Sequence, residues 1–302
     1  LTLEKGVVIK AHRPSFNIHA YNVVIKGTES EPVVITSFKD DSIGGDTNVD
    51  GPSSGSPGES NTLYINGLAD IHHGYFRYSN LSLYGVGTAP FHVADTTFES
   101  NVDAFFFSGT CVTSPEGNCF FDRLTFRNNT RGLIFMGNTS TVVSDSDFFG
   151  NGKAVFIDIS ANPALGNLND SSNENDGGNQ FICNTIAVDN DNTATIFAEN
   201  NWWNGAPPDP SLFQGAIDYS PYLMEETGDR PAISILTLAI GGSQDILIEW
   251  DDLGLACGYR VLKSGEPNTG FTDISGPLEA SEFTDPAAAA QEGILFYKVD
   301  IQ

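Results

Sequence analysis

The sequence predicts an all-β chain: a parallel β-solenoid over most of its length, then a small antiparallel β-sandwich. Three observations predict it. A short motif of strand, Phe and Asn recurs between Gly74 and Asn201, helical periodicity is absent almost everywhere, and beyond residue 230 apolar strands recur at antiparallel spacing.

The repeat reads Tyr75-Phe76-Arg77-Tyr78-Ser79-Asn80, Thr97-Phe98-Glu99-Ser100-Asn101, Thr125-Phe126-Arg127-Asn128-Asn129 and Asp147-Phe148-Phe149-Gly150-Asn151. Phe-to-Phe steps are 22, 28 and 22 residues, then 38 if Ile186 is taken as the next equivalent. The surpluses fall in the Cys111 to Cys119 excursion and the polar run Ala161 to Gln180, so a period near 22 survives. A unit this short, rich in Phe, Val, Ile, Asn and Gly, is one coil of a β-solenoid, which buries its inward side chains only against its neighbours. Phe76, Phe98, Phe126 and Phe148 are then expected in one inner column, and Asn80, Asn101, Asn129 and Asn151 at the turn, where Asn tolerates left-handed φ and stacked amides bond one another. Arg77, Glu99 and Arg127 face outward as a charge ladder.

Residues 1 to 38 hold three β-branched bursts, Val7-Val8-Ile9, Val23-Val24-Ile25 and Val33-Val34-Ile35, which fit three strands per coil. From Lys39 to Asn61 the pattern gives way to Asp, Gly, Ser and Pro. A loop of this length in a compact β fold needs something to hold it. Asp46, Asn48, Asp50 and Gly51 set three oxygen-bearing side chains around a tight turn, which suits calcium. The twelfth position of the loop is Pro57, so a further ligand must come from Asp40, Asp41 or Glu59; a solvated Asp/Gly turn is the other reading.

At the end of the repeat stand Asn200-Asn201-Trp202-Trp203-Asn204-Gly205 and Asp218-Tyr219-Ser220-Pro221. They resemble the closing segment of secreted bacterial right-handed parallel β-helix repeat proteins, as the Lys39 to Gly51 text resembles their long loop. Asn204 departs from the usual Gly. The resemblance covers about residues 1–223 and implies a right-handed parallel β-helix there, with Trp202 and Trp203 capping its apolar end. Residues 224–231 read as a linker. Residues 232–302, with Trp250, Tyr259-Arg260-Val261 and Phe296-Tyr297-Lys298-Val299 as carriers, resemble a fibronectin type III-like sandwich whose last edge is open or completed by another chain.

The 302 residues are 40% hydrophobic, with 21 Phe and 18% charged residues, which supports a packed core. A net charge of -25, from 14 Lys+Arg against 39 Asp+Glu, argues against nucleic acid as a partner and for cations. No apolar run reaches bilayer length, and the opening at Leu1 inside a strand pattern suggests a piece of a longer secreted chain. Cys111 and Cys119 are placed to bridge a short loop, while Cys183 and Cys257, in different predicted domains, read as buried unpaired thiols.

Polysaccharide elimination would need a cation and a base on one sheet face; Arg123, Arg127 and Arg131 are the candidates, the first and second on one strand face, with pairing to Glu99 and Asp122 as the plainer reading. Glycoside hydrolysis would need two carboxylates, for which Asp145 and Asp147 alternate onto one face. His72 and His73 are adjacent and cannot share a metal within one strand. The sequons at Asn80, Asn128, Asn138 and Asn169 read as ladder and turn residues. These features lead to an expectation of a non-catalytic, calcium-stabilised extracellular structural or adhesive protein, with self-assembly or a cell-surface or matrix partner; a polysaccharide-active or glycan-binding protein is the alternative.

Overall fold

A computed structural model describes residues 1–12, 17–60, 62–110, 119–169, 176–226, 233, 235–240, 244–250, 257–267, 269–286, 288–290 and 294–301. The chain divides into two compact units, Leu1–Gly228 and Asp229–Gln302.

The first unit is built on three parallel sheets of six, seven and eight strands. The chain visits them in rotation: Thr2–Glu4 lies in the first sheet, Val8–Ala11 in the second, Ile18–Ala20 in the third, and Val23–Lys26 returns to the first beside Thr2–Glu4. This order is compatible with a solenoid. It also corrects one expectation, because the three β-branched bursts do not make one coil but are spread over two: Val8–Ala11 lies in the first turn beside Val33–Ser37 of the next in the second sheet, and Val23–Lys26, in the same turn as Val33–Ser37, is in the first sheet. The third-sheet strand Ile18-His19-Ala20 is hard to see in the sequence because His19 occupies an exposed position between two half-buried neighbours.

Gly74–Arg77, Thr97–Glu99, Thr125–Arg127, Asp147–Phe149 and Gln180–Ile182 follow one another in the second sheet. Their central inward residues form a file of near-parallel rings: Phe76 to Phe98 at 5.1 Å, Phe98 to Phe126 at 5.0 Å, and Phe126 to Phe148 at 4.9 Å. The spacing is the strand separation itself, so in-register Phe must stack. Phe181, not Ile186, is the next member, 4.7 Å from Phe148, and Trp203 follows at 4.3 Å. Ile186 instead opens a third-sheet strand opposite Lys153. Each aromatic contact is worth about 0.5–1.5 kcal/mol beyond the area buried.

The turn from second to third sheet is made by one left-handed residue per coil, Tyr78, Ser100, Asn128, Gly150 and Cys183, with φ of 60, 55, 54, 63 and 58°. The residue after it points inward. Asn101, Asn129, Asn151 and Asn184 form the ladder there: each Oδ1 accepts the backbone N–H of the residue one coil earlier, and within the file Nδ2 of Asn101, Asn129 and Asn151 donates to the next Oδ1 at 2.9–3.0 Å. Asn80 is not a member. It is exposed, and Ser79 holds the ladder register, its N–H bonded to Asn101 Oδ1. A second, shorter ladder at the corner between first and second sheets contains Asn179 and Asn201.

At the far end Trp203 is 1% exposed and packs edge-on against Phe213, which stacks on Tyr219; Trp202 lies half-buried beside it, bridged to Gln180. None of the described cysteines is free. Cys119, Cys183 and Cys257 are disulfide-bonded, which overturns the reading of Cys183 and Cys257 as unpaired thiols; Cys111 lies outside the described residues.

Among the described residues the second unit holds two antiparallel three-stranded sheets. One orders Ile235–Ile240, Ile246–Trp250 and Glu282–Asp285; the other Thr272–Asp273, Tyr259–Ser264 and Phe296–Ile301. Ile248, Trp250, Tyr259, Val261 and Val299 form its core, with Trp250 edge-on to Tyr259 at 5.6 Å. Phe296–Ile301 is an edge strand, with no strand beyond it among the described residues. Most of the predicted 224–231 linker lies outside the described residues.

Candidate functional site: the long insert and the sheet face beneath it

The insert after Val33–Ser37 lies over the outer face of the second sheet. Asp40, the first acidic residue in it, is fully buried and accepts hydrogen bonds from Thr36, Ser42 and Arg77, the last at 3.1 Å. Arg77 also pairs with Glu99 at 3.3 Å, donates to the Tyr78 hydroxyl at 2.8 Å and lies over the rings of Tyr75 and Tyr78. Its side chain is only 14% exposed. Asp40 is therefore a bolt between insert and sheet, and removing either partner would strand a buried charge at a cost of about 3–5 kcal/mol. Glu59 closes the other end of the insert on Ser37, Lys39 and the Ser56 N–H.

The remaining acids face each other. One oxygen from each of Asp41, Asp46 and Asp50 lies within 4.8 Å of the others. Oxygens sharing a calcium ion at 2.3–2.6 Å stand no more than about 5 Å apart, so the trio has the right spread. The turn is shaped by its own side chains. Asp46 accepts the N–H of Val49 at 2.6 Å and of Gly51 at 3.2 Å, which holds Val49 and Gly51 at φ of 57 and 86°. A left-handed Val is a costly choice, since its branched side chain crowds the carbonyl. Asp41 Oδ2 is occupied by the Ser53 N–H and hydroxyl, leaving Oδ1 buried without a partner. Asn48 donates its amide to Ser53, and its Oδ1 is likewise buried and unpartnered. Hard, orphaned oxygens beside three carboxylates are the donor set a calcium ion takes. The sequence pattern found Asp46, Asn48 and Asp50; of the proposed completing residues the structure brings in Asp41 and turns Asp40 and Glu59 elsewhere.

The catalytic candidates are dispersed. Arg123 is not on a strand face with Arg127: it occupies the left-handed corner between first and second sheets, φ 50°, where its guanidinium grips Asp95 at 2.7 and 3.0 Å and touches Asp122. That hydrogen bond holds the Asp95 carboxyl below the usual range. Arg131 lies in the third sheet with a two-pronged bond to Asp103 at 2.7 Å. His73, Asp95 and Asp145 hold the same corner position as Arg123 in other coils, with φ of 51, 51 and 47°; His72 contacts Asp70 at 3.2 Å. Asp145 borders a cleft of about 470 Å³ with Asp122, Ser144 and Asp176, and burial, with Asp122 adding to it, pushes its carboxyl up. Asp147 is separate, on the outer face of the second sheet, where burial raises its carboxyl to about 6 despite a bond from Gln180.

No family model, curated protein or solved structure matches this chain. Among the described residues no helix is long and apolar enough to cross a membrane.

Proposed function

We propose that this chain is a secreted right-handed parallel β-helix, stabilised by calcium in its long insert and joined to a fibronectin type III-like module. On this reading it works as a non-catalytic structural or adhesive element of a bacterial cell surface or extracellular assembly. Residues 1–223 are the β-helix, 224–231 the linker and 232–302 the module. The rotation of strands among three sheets supports the first assignment, and the two small antiparallel sheets around Trp250 and Tyr259 support the last.

One observation carries the functional reading: the insert seals the outer sheet face at Arg77. Arg77 pairs with Asp40 and Glu99 under it and Tyr75 donates to Glu99, so these groups are engaged in holding the insert down. Catalysis there would need a base and a cation standing free in a cleft. Calcium, taken by Asp41, Asp46, Asn48 and Asp50, would offset the repulsion of acids crowded in a chain of net charge -25 and fix the insert. Partners on this reading are further copies of the chain or a surface or matrix component. Light-scattering size analysis in calcium and in chelator tests it, run beside an assay for unsaturated sugars released from acidic glycans. Large species that dissociate in chelator, with no sugar released, are expected; sugar release that ignores chelator overturns the reading.

The second reading, a polysaccharide-active or glycan-binding protein, is favoured by the corner cleft lined by Asp122, Asp145 and Asp176, the first of them in contact with Arg123. A carboxyl whose proton affinity is raised by burial suits the role of proton donor. The same sugar-release assay on Asp145→Asn distinguishes the two.

A further inference from the structure

We propose that Arg127 anchors a binding groove for a carboxylate flanked by hydroxyl groups, whether on a free hydroxy acid or on an acidic residue of a glycan. In a chain with 39 acids, the other cations among the described residues of the first unit are spoken for: Lys5 pairs with Glu31, Lys26 with Glu4, Lys39 with Glu59, Arg123 with Asp95, Arg131 with Asp103 and Lys153 with Asp189, while Arg13 lies outside the described residues. Arg77 is engaged under the insert, and Lys10 donates to the Gly45 carbonyl. Arg127 makes no ion pair or hydrogen bond with any described residue, and its Nε is buried without a partner.

The reason lies in the neighbours. Glu99 is opposite Arg127 in register but is held one coil back by Tyr75 and Arg77. Asp147, one coil on, accepts from Gln180. Arg77 Nε is likewise buried without a hydrogen-bond partner, but the Arg77 guanidinium pairs with Asp40 and Glu99, whereas the terminal N–H groups of Arg127, which are not buried, are left to a partner outside the described residues.

Arg127 lines a groove of about 290 Å³ together with Glu29, His73, Tyr75, Asp95 and Thr97. That size is at the lower end for small-molecule sites, about 300 Å³. The lining chooses the ligand. Glu29 and Asp95 share the groove with a single unpaired cation, so a phosphate or sulfate with more charge is disfavoured. One carboxylate matches one guanidinium in two-pronged geometry. Thr97, His73 and the acidic walls are then left to bond hydroxyl groups beside it. None of these residues belongs to the Asp41, Asp46, Asp50 cluster, so this site stands or falls apart from calcium.

The test is calorimetric titration of the full chain with sodium D-glucuronate, D-glucose and sodium sulfate. Saturable binding of glucuronate, with a preference of roughly tenfold or more over the other two, is expected. Arg127→Met abolishes it and Arg127→Lys retains part of it. Without ligand, Arg127→Met melts cooperatively and within a few degrees of the parent chain, because Arg127 makes no ion pair or hydrogen bond with any described residue, so lost binding is not lost folding. A glucuronate-containing oligosaccharide that binds tighter than the monosaccharide assigns the glycan source; equal affinity assigns the free acid. No glucuronate binding to the parent chain, sulfate binding as tightly, or Arg127→Met binding unchanged overturns the proposal.

Discussion

Replacing Asp147 by Asn gives a stability change whose size and pH dependence both follow from its surroundings. Burial on the outer face of the second sheet raises this carboxyl from 3.8 to about 6, with Glu226 adding repulsion, while Gln180 donates to Oδ1 at 2.9 Å. A carboxyl with a higher pKa folded than unfolded binds its proton more tightly in the native state. Its stabilising contribution is therefore complete below about pH 4 and is lost as pH rises through about 6. Roughly two pKa units at 1.36 kcal/mol each give about 3 kcal/mol, and the part of the group that solvent reaches brings this to about 2–3 kcal/mol. Asn keeps the Oδ1 acceptor and carries no charge. At pH 8 Asp147→Asn should be more stable than the parent chain by that amount, about 4–10 °C in melting temperature for a unit of this size. At pH 4 the two should coincide. Melting curves followed by circular dichroism across pH 4 to 8 measure the difference, and a constant gap between the two proteins would refute the assignment of a buried, proton-retaining carboxyl.

Asn129→Ala removes bonds to Asn101 N–H and Nδ2, the Phe98 carbonyl and Asn151 Oδ1 at once. At about 1 kcal/mol net each it should cost about 4 kcal/mol by urea unfolding, whereas Asn80→Ala, on an exposed residue, should cost under about 0.5 kcal/mol. Phe126→Ala interrupts the ring file between Phe98 and Phe148 and should cost about 3–5 kcal/mol in the same assay. Val49→Asn relieves a left-handed Val that is 86% exposed, so it should stabilise the insert by about 1 kcal/mol without weakening calcium binding.

The ring file was legible because period-22 stacking leaves one inward Phe per coil, and only a large insert hid the fifth. The ladder was legible in part. Its true rule is an Asn three residues after the Phe, which joins Phe98 to Asn101 and Phe181 to Asn184 but gives Ser79 after Phe76; allowing four residues admitted Asn80, which points to solvent. The metal-binding pattern marked the turn, yet Asp40 and Asp41 are adjacent and alternate in direction, so sequence spacing could not tell which one faces Asp46 and which bonds Arg77. Arg127 looked like any rung of the charge ladder. Its isolation depends on Tyr75 drawing Glu99 back one coil, a three-body arrangement with no local signature.

Thermal unfolding of the full chain in saturating calcium and in chelator tests the central claim most directly. With calcium at about a hundred times its dissociation constant, the account gives about 2.7 kcal/mol of added stability, abolished in an Asp46→Asn, Asp50→Asn double variant. Melting curves that superimpose in calcium and chelator, with the double variant unchanged, would contradict it.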